Sequence, residues 1–135
     1  RSVILTFAFG HCATVCPVVV HDVRAARVAA KRTDVPLVVI TLDPWRDTPK
    51  HLSMIASAWE LAATDRVLSG SIDTVERILD ALSVQRRRDE RTGDIEHVSV
   101  IMVTDARGHV IRRIDGGWGR LNELIAGLPV GRDVP

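Results

Sequence analysis

The chain's only two cysteines, Cys12 and Cys16, stand four residues apart in Cys12-Ala13-Thr14-Val15-Cys16, with Pro17 directly after them. In the first turn of a helix, thiols at i and i+4 point the same way. They can then share one soft metal ion, or close a disulfide across a Cα separation of ~4.4–6.8 Å. The apolar run Val3-Ile4-Leu5-Thr6-Phe7 just upstream reads as a buried strand, so the pair falls where a strand hands over to a helix. A helix N-terminus carries partial positive charge and unpaired amide donors, which favours the thiolate. The thiolate is the nucleophile of disulfide exchange and also the ligand of soft metals, so one placement serves either chemistry. The ordinary alternative is two buried structural cysteines, which explains neither the strand-to-helix position nor the proline.

Spacing separates the two chemistries in part. Disulfide exchange at such a junction normally uses two intervening residues, and three stand here. The longer gap tolerates a disulfide and suits a chelate in which both sulfurs converge on one ion. Two thiolates need at least one more ligand, and there are five histidines to sort. His109, after Gly108 in a predicted hairpin, and His51, in the first turn of a predicted helix, read as exposed. His21 lies five residues past Cys16, about 140° round the helix, and is poorly placed to join it. His11 adjoins Cys12, with its side-chain direction open. His97 stands where a polar loop ends and the strand Val98–Thr104 begins. A strand-entry histidine and a ligand both fit that position, and spacing does not choose between them.

The elements that must position these residues follow from periodicity. The strand over Val3 to Ala8 precedes a helix from Val15, with Val19, Val23, Ala26 and Ala30 at helical spacing and Pro17 in its first turn. Leu37 to Leu42 is a second buried run, ending in the loop Asp43-Pro44-Trp45-Arg46-Asp47. Thr48 is predicted to cap the next helix, with Pro49 at its first position and Leu52, Ile55, Trp59 and Ala62 as its apolar stripe. A short strand at Val67-Leu68 leads to a helix in which Asp73 and Glu76 form a capping-box-like pair over a face of Ile72, Val75, Ile78, Leu79 and Leu82. Gln85 to Glu96, Arg-rich and polar, reads as a loop or lid without a core face. Val98–Thr104 and His109–Ile114 are predicted strands joined through Asp105-Ala106-Arg107-Gly108. Trp118, Leu121, Leu124, Ile125 and Leu128 form a closing amphipathic helix. Strand–helix–strand units followed by an antiparallel hairpin and a helix imply an α/β fold, a central mixed sheet with helices on both faces. With the dithiol at the first strand-to-helix junction, that arrangement is thioredoxin-like.

At 135 residues the chain is expected to be one domain, residues 1–135, long enough to bury a core without cross-links. A net charge of +1 gives no electrostatic argument for nucleic acid or an anionic membrane. The one basic run, Arg86-Arg87-Arg88, is followed at once by Asp89 and Glu90. No segment reaches the ~18 uninterrupted apolar residues of a membrane span. The chain opens inside a predicted core strand, so the native N-terminal segment, with any signal or membrane anchor, is expected upstream. Two cysteines in one tight motif are not the pattern of a disulfide-stapled scaffold.

Three segments carry a resemblance. Phe7-Ala8-Phe9-Gly10-His11-Cys12-Ala13-Thr14-Val15-Cys16-Pro17 resembles the metal-binding segment of the Sco/SenC copper-chaperone family. Thr41-Leu42-Asp43-Pro44-Trp45-Arg46-Asp47-Thr48-Pro49 is similar to its Asp-Pro-x-Arg-Asp-Thr-Pro turn, and Asp94-Ile95-Glu96-His97-Val98-Ser99 to its distal-histidine segment. The resemblance implies a thioredoxin-like fold in which Cys12, Cys16 and His97 bind one copper ion. It also implies work on the dinuclear copper site of cytochrome c oxidase, by delivering copper, by reducing the target's cysteines, or both. The partners implied are the oxidase copper-site subunit or another copper-accepting protein, and a thiol reductant. The expected setting is the periplasm, or the mitochondrial intermembrane space in a eukaryote, with an N-terminal membrane anchor. The chain departs from the family pattern at Ala13-Thr14 (usually Pro-Asp), at Glu96 and Val98 around the histidine (commonly Asp-His-Ser) and at Phe9 (often tyrosine). All three ligand positions are kept.

Two thiolates and an imidazole make a soft site that favours copper(I) and leaves copper(II) accessible, whereas zinc in a structural site usually takes a fourth protein ligand. Asp43, at the end of the central strand, is expected to stand behind the ligands. Asp47 reads as well as a helix-entry aspartate. Arg46 is expected to pair with one of these carboxylates or with a partner protein. Trp45 reads as a loop anchor or, if exposed, a docking residue, and Met54 and Met102 as core. The competing reading is a thiol–disulfide oxidoreductase that uses Cys12 and Cys16 as catalytic residues without metal. A peroxide-reducing enzyme on the same fold would need an arginine beside the thiol, and a plain binding module would leave the dithiol unused.

Overall fold

The computed structural model describes residues 2–10, 16–116 and 121–129. Its centre is β1 (Val3–Ala8), a run of β-branched, aliphatic and aromatic residues buried from Ile4 onward. Consecutive strand residues face opposite sides of a sheet, so burial of both sets means that β1 is covered on both faces. Thr6, the polar residue within it, is buried and donates its hydroxyl hydrogen to the Val100 carbonyl at 2.8 Å.

Helix α1 (Cys16–Ala29) returns the chain so that β2 (Leu37–Thr41) pairs parallel to β1, Ile4 opposite Leu37 and Ala8 opposite Thr41. Val19, Val20 and Val23 bury its inner face. A short 3-10 turn, Pro49–His51, and α2 (Leu52–Ala58) lead to β3 (Arg66–Leu68), parallel to β2. Then follow α3 (Ile72–Ala81), the hairpin β4 (Arg86–Arg88) and β5 (Ile95–His97), the hairpin β6 (Val100–Thr104) and β7 (Val110–Asp115), and α4 (Leu121–Ala126). The main sheet runs β3-β2-β1-β6-β7, with β6 antiparallel to β1 and to β7. This is the mixed α/β architecture expected from the order of elements.

Behind α1 lies a buried ion pair. Arg27 reaches Asp65 with two N–H···O bonds of 2.8 Å, and the Asp65 carboxylate also accepts the amides of Leu37 and Ala62. One aspartate therefore joins the crossover helix to the start of β2. Arg32 does similar work for α4, donating to the carbonyls of Ile125, Ala126, Leu128 and Pro129. These carbonyls are at and beyond the C-terminal end of a helix, where intrahelical donors are lacking.

Several local expectations are corrected. Residues 86–97 form a two-stranded hairpin with Arg86 opposite His97 and Arg88 opposite Ile95, where a bare loop was expected. Arg86 pairs with Glu76 and Asp80 of α3, while Ile95 supplies the core face. The N-cap of α3 is Ser71, which accepts the Thr74 amide, in place of an Asp73–Glu76 box. Val75 and Leu79 are buried in that helix, but Ile72 and Ile78 are exposed. The Thr48 hydroxyl makes no capping bond and lies 2.7 Å from His51 Nδ1. Helix α2 stops at Ala58, so Ala62 falls outside it and is exposed. Met102 is buried as expected, whereas Met54 is 69% exposed because α2 buries none of its residues fully. Trp118 lies outside the described residues.

Helices α1, α2 and α3 end alike. Lys31, Glu60 and Ser83 each adopt a φ near +55°, and the next residue's amide reaches back to the carbonyls of Arg27, Ala56 and Leu79 respectively. That is the Schellman arrangement, which usually places glycine at the left-handed position. Here three side-chain-bearing residues occupy it.

Candidate functional site

The segment entering the cysteines is held from below. After β1, Phe9 is buried and Gly10 donates its amide hydrogen to Asp47 Oδ2 at 2.8 Å. The same oxygen accepts the Thr41 hydroxyl at 2.8 Å, and Thr41 Oγ1 in turn accepts the Asp43 amide at 2.9 Å. A Cβ on residue 10 would lie 2.9 Å from Asp47 Oδ1 and 3.0 Å from Ile55 Cδ1, so the close approach of backbone to carboxylate requires glycine. An open cavity of about 420 Å³, lined by Gly10, Arg46, Asp47, His51, Met54 and Ile55, brings solvent to this point. Cys12 lies outside the described residues, and Cys16 is described as the first residue of α1. The described strand and helix thus flank the dithiol as the sequence reading expected.

His97 comes to this segment from the far side. It ends β5, and its ring meets Phe9, three residues before Cys12, edge to face at a centroid distance of 5.9 Å. Burial pushes its pKa below the ordinary imidazole value, and the Val98 carbonyl and Asp94 only partly offset that. The ring is therefore neutral at neutral pH, the state in which an imidazole binds metal. The tautomer that gives Nδ1–H to the Val98 carbonyl, 3.4 Å away, leaves the lone pair on Nε2.

The turn between these two halves is Asp43 to Asp47. Asp43 is fully buried, and its carboxylate pairs with Arg46 Nε and accepts the Arg46 amide at 3.3 Å. Arg46 then donates from Nη2 to the Gly93 carbonyl at 2.6 Å, in the connection between β4 and β5. Trp45 lies under the Arg88 guanidinium, 4.5 Å from ring centroid to Cζ, which ties the turn to β4 as well. Trp45 is 36% exposed, so it serves as a loop anchor and also shows one face to solvent.

Of the other histidines, His51 and His109 are exposed, as expected, the His21 side chain is exposed as well, and His11 lies outside the described residues. The contact of Asp47 with Gly10 was missed. Asp47 reads locally as a helix-entry residue, and its partner is 37 positions away. Among the described residues, no three or more His, Cys, Asp or Glu side chains form a metal-binding group. The set implied by resemblance includes Cys12, which is outside them.

The profile of the SCO1/SenC family matches residues 1–127. The chain belongs to that family. A putative copper-binding protein of Stutzerimonas stutzeri is 32% identical over 84 residues, 60% of this chain and 40% of the relative. The match thus spans about two fifths of the length of that curated relative. Among solved structures, copper-bound ScoI of Arabidopsis thaliana superposes with a TM-score of 0.79 at 22% identity, covering 93% of this chain and 79% of the other. Copper-bound ScoI of Bradyrhizobium japonicum superposes with a TM-score of 0.74 at 24% identity, covering 93% and 81%. At these identities the likeness is one of fold, and the fold is thioredoxin-like.

Proposed function

We propose that this chain is a copper metallochaperone that binds one copper ion through Cys12, Cys16 and His97 and passes it to the dinuclear copper site of cytochrome c oxidase. The observation that carries this reading is the edge contact of His97 with Phe9. It sets a neutral imidazole against the segment that leads to the two thiols. The donor set fits the cargo: two soft sulfurs favour copper(I), and the imidazole makes copper(II) accessible. Copper is carried here and not retained, and a three-donor shell leaves room for an incoming ligand. Cysteines of the acceptor replace Cys12 and Cys16 by stepwise exchange, while His97 on its separate hairpin withdraws. The acceptor is the oxidase copper-site subunit or another copper-accepting protein on the periplasmic or intermembrane-space side, where an N-terminal anchor would hold the chaperone.

Titration of the reduced protein with copper(I) and copper(II), beside Cys12→Ser and His97→Ala, tests this. One equivalent bound tightly is expected. Cys12→Ser should abolish tight binding of both ions, and His97→Ala should weaken copper(II) far more than copper(I). Absence of copper binding, together with ready exchange of a Cys12–Cys16 disulfide with a model dithiol, would overturn it in favour of a metal-free thiol–disulfide oxidoreductase.

A further inference from the structure

The strands that carry His97 are not part of the main sheet: β4 and β5 form a two-stranded sheet of their own. A lone two-stranded hairpin is marginal in water, so tertiary contacts must orient this one. Arg86 ties it to α3 through Glu76 and Asp80, Arg88 rests on Trp45, and Arg46 holds Gly93. The last contact differs from the others in what stands behind it. Arg46 is clamped by fully buried Asp43, and its neighbour in sequence, Asp47, holds Gly10. Adjacent residues of one turn thus grip the two halves of the site, Asp47 the dithiol side and Arg46 the imidazole side.

Gly93 is shaped for that grip. Its φ of +76° suits glycine, and a Cβ there would lie 3.3 Å from Arg46 Cζ and Nη1. The guanidinium fork meets the carboxylate at Nε and the carbonyl at Nη2, two directions that a lysine ammonium cannot serve with the same fixed geometry. From Gly93 the chain runs four residues to His97, the last three of them in β5.

We infer that Arg46 is a positioning residue for His97, setting the separation between the imidazole and the dithiol segment. The inference rests on the reading of His97 as the third copper ligand. A partner bonded directly to a ligand typically changes metal affinity about 10–100-fold when lost, and Arg46, which reaches His97 only through Gly93 and the four residues after it, should act at the lower end of that range. Because the Arg46 side chain bonds Gly93 on the imidazole arm while Asp47 holds Gly10, the loss falls chiefly on copper(II), where the imidazole matters most.

The test uses Arg46→Gln, Gly93→Ala and His97→Ala, alone and combined. Arg46→Gln is expected to lower copper(II) affinity about 10-fold and to shift the copper(II) absorption and EPR signals, with copper(I) affinity within a few-fold of the parent. Gly93→Ala, which disturbs the same contact from the other side, should act in the same direction. Neither change should add to His97→Ala, since residues serving one interaction are non-additive. The metal-free protein gives a second reading, in which nuclear Overhauser contacts between the Phe9 and His97 rings weaken in Arg46→Gln. An equal loss of both copper ions, or parent-like ring contacts in Arg46→Gln, would overturn the inference. If His97→Ala left copper(II) binding intact, the ligand assignment would fall, and the ring contacts would still decide whether Arg46 positions His97.

Discussion

Asp47 offers a direct way to ask what holds the dithiol segment in place. Its Oδ2 takes two hydrogen bonds of 2.8 Å, from the Gly10 amide and the Thr41 hydroxyl, and the residue is 2% exposed. Asp47→Ala removes both. Gly10 is exposed, so water can reach its amide, and the loss there falls at the low end, about 1 kcal/mol. Thr41 is buried and loses its carboxylate acceptor, worth about 1.5–3 kcal/mol. The sum is about 2.5–4 kcal/mol. With a urea m-value of about 1–3 kcal/mol/M, the unfolding midpoint should fall by about 1 M or more with m unchanged. Thr41→Val is the control: it loses the hydroxyl but leaves the Gly10 bond to Asp47. Both variants should be destabilised. Only Asp47→Ala should also shift the Cys12–Cys16 disulfide toward the dithiol in a glutathione buffer, because freeing Gly10 widens the space the thiols sample. A midpoint within 0.3 M of the parent (roughly 0.3–0.9 kcal/mol) for Asp47→Ala would refute the stability reasoning. Equal disulfide shifts in both variants would refute the link to Gly10.

Three further outcomes are expected. Asp65→Asn should cost about 3–5 kcal/mol in urea unfolding, because it breaks a buried pair and leaves Arg27 uncompensated. Burial alone would raise the Asp65 pKa, but the bonds from Arg27, Leu37 and Ala62 outweigh it and hold the carboxyl below its ordinary range. Its stabilisation is therefore complete above pH ~3.9 and lost as pH falls through the lower folded value, so the variant should show a flatter acid limb. The depressed His97 pKa has the same sign: the unfolded chain binds the proton more readily, so stability drops as pH falls from ~6.5 through the folded value. His97→Phe, which keeps a ring against Phe9, should lose less stability than the parent between pH 8 and pH 5, and parallel curves would count against the buried neutral imidazole. Lys31→Gly and Ser83→Gly should each stabilise by about 0.5–1 kcal/mol, the left-handed penalty removed less the added unfolded-state entropy of glycine. A fall in thermal midpoint for either would show that its side chain makes a compensating contact.

What the sequence made legible follows the range of the forces involved. The apolar run of β1, the Pro17 entry to α1, the β2 run and the β6–β7 hairpin are local patterns, and each lies within a few residues of its expected bounds. The Arg-rich β4–β5 hairpin was hidden because Arg86 is paired with carboxylates of α3 and Arg88 rests on the Trp45 ring, partners that periodicity cannot see. Ser71 outcompeted Asp73 as the cap because the helix begins at Ile72, a boundary that hydrophobic spacing leaves loose. The three left-handed helix ends carry no glycine and so gave no signal. At the site, His97 is expected at the entry to a strand Val98–Thr104, but it ends β5 in the separate hairpin, and β6 begins only at Val100. The grip of Asp47 on Gly10 and of Arg46 on Gly93 spans 37 and 47 positions and emerges only once the chain is folded.

The separate sheet of β4 and β5 has a consequence for how this molecule can change over generations. No ladder hydrogen bond joins it to the five strands of the main sheet. Substitutions that re-aim or replace the residue at position 97 therefore leave the pairing of the main sheet untouched, and their cost falls on the contact with Phe9 and on the short hairpin itself. If His97 is the third donor proposed above, a lineage can retune it, and with it which ion is held and how readily it leaves, while α1, which begins at Cys16, stays as it is.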